Sequence, residues 1–116
     1  MRKIAIVTAL LLATTGAQAQ EYRVNGKGND SCATWLSSPA QENAGSHWLL
    51  GMWTGLNVLN RHEHHLVGSK TDGMGIIGEV KKACAEAPSQ LLVNAVLEAY
   101  LLIEKREYPD TLPTKP

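Results

Sequence analysis

The residues with the most latent chemistry stand together as His62, Glu63, His64 and His65, with His47 upstream. Imidazole and carboxylate groups are Zn²⁺ ligands, and a catalytic zinc takes three of them around one open position. His62 and His65 are three apart and share a face on a continued helix. Glu63 is the third donor. The spacing is not the His-Glu-x-x-His pattern that lays two imidazoles and a general base along one helix, and the helix leading into the cluster is expected to end near Asn60. His62, Glu63 and His65 are therefore weak metal-ligand candidates. Two other readings stand beside that one: a solvated helix end, and a segment whose charge changes near neutral pH.

Other chemistries lack their motifs. Gly68-Ser69-Lys70-Thr71 does not have the glycine spacing of a phosphate-binding loop, and no buried strand precedes it. There is no Gly-x-Ser-x-Gly elbow for a nucleophilic serine. No catalytic residue and no cofactor is assigned, and the chain is not expected to be an enzyme.

The chain opens with Arg2 and Lys3, continues through an apolar run from Ile4 to Leu12, and reaches Ala17-Gln18-Ala19. That order is expected of a cleavable secretory signal peptide over residues 1–19. The apolar run is too short to span a bilayer, which needs roughly 20 residues. Without the leader, 97 residues remain, one domain's worth, with 9 basic residues against 11 acidic ones. This balance does not suit a nucleic-acid surface. Fully protonated, the same residues and the 4 histidines would carry about +13, a self-repulsion that favours opening in acid.

Cys32 and Cys84 are the only cysteines. In a small exported domain an even count reads as a disulfide, and their spacing is far from Cys-x-x-Cys.

Residues 20–29 are polar and read as a flexible lead-in to a helical domain over 30–107. Asp30 or Ser31 caps a short helix through Cys32, Trp35 and Leu36. Ser38, Pro39 and Gln41 form a helix start with a reciprocal capping box. The second helix carries Trp48, Leu49, Met52, Trp53, Leu56 and Leu59 at helical spacing. Gly51 and Gly55, one turn apart, predict a groove for a neighbouring helix. Asp72 caps a third helix lined by Ile76, Ile77, Val80, Ala83 and Cys84. Pro88 is expected as the first residue of a fourth, lined by Leu91, Leu92, Ala95, Val96, Ala99, Leu102 and Ile103. Residues 108–116 contain three prolines and read as a mobile tail. The fold class is all-α: a small bundle of three main helices plus one short helix, closed by one disulfide. Trp48, Met52 and Trp53 are the candidates for contact with a partner, because aromatic and methionine side chains anchor interfaces.

Cys32 with Trp35-Leu36, the run Trp48-Leu49-Leu50-Gly51-Met52-Trp53-Thr54-Gly55, and Cys84 followed by Pro88 and an amphipathic helix resemble two groups of small periplasmic proteins. One is the HdeA/HdeB acid-stress chaperones. The other is the Rap1a/Tai immunity proteins, which neutralise secreted amidase effectors. Either resemblance implies a non-enzymatic, protein-binding role in the periplasm or outside the cell, with no membrane insertion after leader cleavage. The chaperone type also implies a homodimer that opens at low pH. The chain departs from the chaperones in its longer middle loop and histidine cluster, and from the immunity proteins in having two cysteines.

Overall fold

The computed structural model describes residues 23–60 and 65–110. The leader, His62, Glu63 and the end of the tail lie outside the described residues. Five elements follow one another: a short 3-10 turn at Gly26–Asn29, α1 at Cys32–Trp35, α2 at Pro39–Leu59, α3 at Gly73–Glu86 and α4 at Leu92–Glu107.

Local chemistry sets most of the boundaries. Ser31 caps α1 by accepting from the Thr34 amide, Ser38 caps α2 from the Gln41 amide, and Asp72 caps α3 from the Gly75 amide. Each satisfies a backbone donor that has no intrahelical acceptor. The α2 capping box is only half made. The Gln41 side chain accepts from Lys27 Nζ at 2.7 Å instead of returning to the backbone of Ser38. Pro88 does not begin α4. The peptide from Ala87 to Gln90 turns, and its carbonyls serve the chain's N-terminal part: Cys32 N donates to Gln90 O at 2.8 Å and Ala33 N to Pro88 O at 2.9 Å. Leu92 N donates to Asp30 O at 2.8 Å, completing an isolated antiparallel bridge between Ser31 and Leu91.

The Cys32–Cys84 disulfide lies beside that bridge and joins α1 to α3. Its ends are separated by 52 positions in the sequence, for which the chain-entropy model assigns about 4 kcal/mol. All five residues assigned to the α3 core face are buried, and Leu49, Trp53, Leu92, Ala95, Val96, Ala99, Tyr100 and Ile103 complete the centre. Leu59 and Leu102, expected on apolar faces, are exposed instead, and Tyr100 takes the inward position on α4. Gly51 and Gly55 form no groove, since a side chain at either would meet nothing within 4 Å. The close approach is at Gly45, where a Cβ would stand 2.2 Å from the Trp35 ring. The Trp35 indole N–H then reaches Glu42 O at 3.0 Å, so α1 docks flat on the first turns of α2.

Candidate functional site

The C-terminal ends of α2 and α4 hold the strap from His65 to Thr71 between them. Asn57 is central to this. It stands four residues after Trp53 on the buried stripe of α2, and its amide pairs with the Val67 backbone as a neighbouring strand would. Nδ2 donates to Val67 O at 3.0 Å, and Oδ1 accepts from Val67 N at 3.1 Å. Trp53 donates to the same carbonyl at 2.8 Å. The Tyr100 hydroxyl donates to Asn57 Oδ1 at 2.8 Å and accepts from Asn60 at 3.0 Å, and its ring meets Trp53 edge-on, with centroids 5.0 Å apart. Burial raises the Tyr100 phenol above its ordinary range. The Asn60 hydrogen bond opposes this, and Glu104 and Tyr108 add to it.

Ionisable groups close the other side of the strap. The Glu107 carboxylate accepts from the amides of Gly68, at 2.9 Å, and Lys70, at 3.2 Å. Gly68 has φ +87°, and a Cβ there would stand 3.1 Å from Trp53 Nε1, so the corner requires glycine. His65 is buried, stacks on Tyr108 with centroids 4.2 Å apart, and has Nδ1 3.5 Å from Glu104. The Tyr108 hydroxyl approaches Leu66 N at 3.3 Å and Leu66 O at 3.5 Å. Tyr108, the first residue of the expected tail, packs on the strap. At the other end, ordered structure begins before Asp30, since Gly26–Asn29 forms a turn.

Of the three predicted metal ligands only His65 lies among the described residues. His62 and Glu63 lie outside the described residues, and His65 is engaged by Glu104 and Tyr108. Among the described residues no three His, Cys, Asp or Glu side chains converge as a metal site needs. The three candidate partner-binding residues take different places. Trp53 is core. Trp48 lies over the Gly26–Asn29 turn, donating to Asn25 O at 3.1 Å with its ring against Gly28, and Met52 is half-buried against the core. Trp48 and Met52 keep part of their surface in solvent, and Trp53 does not.

Two other features are open to solvent. A groove of about 420 Å³ runs between α2 and the start of α3, lined by Leu50, His47, Met74 and Ile77 among others, and Met74 is 72% exposed. Glu42 at its edge is ion-paired with Lys81. Between α3 and α4, Glu79 is paired with both Lys82 and Arg106 at 3.3 Å. Burial pushes the Glu79 carboxyl up, but hydrogen bonds and charge from Lys82 and Arg106 outweigh it and leave the carboxyl below its ordinary range.

No protein-family model, curated protein or solved structure matches this chain. Among the described residues no helix is long and apolar enough to cross a membrane.

Sequence reasoning missed Asn57, Tyr100, Glu104 and Glu107. For Asn57 a signal existed: a polar amide at four-residue spacing on the stripe of Leu49 and Trp53. Glu104 and Glu107 act on backbone and imidazole 37 to 39 residues earlier in the chain, and helical periodicity carries no information at that range.

Proposed function

We propose that this protein is exported, binds other proteins and catalyses no reaction, as a stress chaperone of HdeA-like type whose apolar interior is uncovered in acid. The strap carries this reading. It covers Trp53 and Tyr100, and it is fastened to α4 through carboxylates. An ionised Glu107 accepts two backbone hydrogen bonds, and charge-assisted bonds of this kind are about twice as strong as neutral ones. Protonation weakens both. It also removes the negative partner of His65 at Glu104 and the carboxylate that pairs with Lys82 and Arg106 at Glu79. Net positive charge builds up as carboxylates are protonated, so release of the strap and self-repulsion act together. The disulfide suits an oxidising compartment and would keep the opened chain tethered.

A second reading, an immunity-type inhibitor of a secreted enzyme, draws support from the groove beside Met74, which is open in the folded protein. Pull-down from periplasmic extract at pH 7 and at about pH 3 separates the two. Many partners only in acid is the expected result, with Glu107→Gln moving capture to higher pH. One stoichiometric partner at pH 7 would replace the chaperone by the inhibitor. No partner at either pH, together with metal-dependent turnover, would overturn both.

A further inference from the structure

The strap lies in a cleft that reads main chain. At Val67 the Asn57 amide holds both backbone groups, at 3.0 Å to the carbonyl and 3.1 Å from the N–H, and the Trp53 indole donates to the same carbonyl at 2.8 Å. Any residue other than proline offers these groups. The Val67 side chain is 2% exposed, whereas that of the preceding Leu66 is 60% exposed. The walls of the cleft hold one another without help from the strap. The Tyr100 hydroxyl donates to Asn57 Oδ1 at 2.8 Å, and the Tyr100 ring meets Trp53 edge-on. The site is thus pre-organised, which lowers the cost of filling it. The next position narrows what can lie there. Gly68 has φ +87°, and a Cβ on it would stand 3.1 Å from Trp53 Nε1 and 3.2 Å from Ile76, so the chain following this path needs glycine after the buried residue.

We infer that the cleft of Trp53, Asn57 and Tyr100 is a peptide-binding site that the strap fills in cis, and that its ligand in trans is an extended segment of another protein with a β-branched apolar residue followed by glycine. This rests on the protein-binding role proposed above and names the place and the ligand. In strand addition, main-chain hydrogen bonds give affinity and a pocket for an alternate side chain gives selectivity. Here the Asn57 amide takes the part of the sheet edge. A proline at the buried position leaves Asn57 Oδ1 without its donor there, and a charged residue would be desolvated without a partner. The strap is tethered at both ends, so it competes at an effective concentration in roughly the millimolar range. It keeps the site closed to weak ligands, and loosening it opens the site without touching the walls.

The probe is a blocked, labelled peptide with the strap's own sequence, Leu-Val-Gly-Ser-Lys-Thr, added to the oxidised protein at neutral pH. Binding is read by fluorescence anisotropy, and the strap by hydrogen exchange. Gly68→Ala strains the strap at its left-handed corner and leaves the three wall residues as they are. It should tighten peptide binding about tenfold over wild type. Peptides with proline or aspartate in place of the valine should not bind, and changes in the ligand cannot unfold the protein. Bound peptide should strip protection from the Val67 and Lys70 amides. Circular dichroism checks that the helices of the variant persist. Wild type at about 1 mM peptide should show the same preference for valine over proline, which keeps the test decisive if the variant unfolds. Four results would overturn the inference: no binding by the folded variant, equal binding by variant and wild type, binding that the proline peptide retains, or binding that leaves the strap amides protected. Failure here with many partners captured near pH 3 would remove the cleft and leave the chaperone reading. Peptide binding with no capture at either pH would keep the cleft and remove the chaperone.

Discussion

The two ends of the bundle are held by different kinds of bond. At one end a disulfide and main-chain hydrogen bonds join Ser31, Cys32 and Ala33 to the turn before α4. At the other, side chains fasten the strap: Asn57 and Tyr100 from within, Glu104 and Glu107 from α4. Covalent and main-chain bonds do not titrate in the acidic range, whereas carboxylates and imidazoles do. The disulfide end is therefore the more permanent of the two, although ion pairs at Asp30 and Glu42 lie near it, and on the function proposed above the strap end is the conditional one.

Breaking the permanent end should cost most. Replacing both Cys32 and Cys84 by Ser is expected to lower stability by about 2–5 kcal/mol, measured by denaturant unfolding, with little change in the shape of its pH dependence. At the conditional end, Asn57→Ala leaves the Val67 amide without its acceptor and removes a partner of Tyr100. A loss of about 2–3 kcal/mol is expected, together with faster hydrogen exchange confined to residues 65–71.

Glu107→Gln should cost less, about 1 kcal/mol, and should speed hydrogen exchange of the Gly68 and Lys70 amides that the carboxylate accepts from. If Glu107→Gln leaves those two amides as protected as before while the cysteine variant exposes them, the contrast between the ends is wrong.

The smallest effects concern the two shifted groups. Glu79 holds its proton less tightly folded than unfolded, so its contribution is present above the ordinary carboxylate range and is lost as pH falls through its lowered folded value. Glu79→Gln should remove that part of the acid limb. Tyr100 is the reverse case. Its phenol is raised when folded, so stability holds below about pH 10 and declines as pH rises through the folded value. Tyr100→Phe should remove this alkaline decline, read by thermal unfolding across pH.

Where one segment's own residues decided its structure, the sequence was legible. Ser38 and Asp72 cap with their own side chains, and α3 buries the five residues its periodicity marks. The two cysteines had one intramolecular pairing open to them. Legibility failed where a distant segment competed for a group. Gln41 is claimed by Lys27. Pro88 belongs to a turn whose carbonyl is used by Ala33. Tyr100 turns inward in place of Leu102 because Asn57 and Asn60 supply its hydroxyl with partners. The histidine cluster drew notice by composition, yet the environment of its one described member, His65, is built by Glu104 and Tyr108 from the far end of the chain.

The three indoles have a spectroscopic consequence. Each N–H is bound to a different carbonyl: Trp35 to Glu42, Trp48 to Asn25 and Trp53 to Val67. Trp35 sits on the helix that carries the disulfide, Trp48 over the N-terminal turn and Trp53 beneath the strap. Chains retaining one indole at a time would report by fluorescence on three separate districts of the fold. During acidification the emission of Trp53 should redden first, while that of Trp35 holds until the whole molecule unfolds.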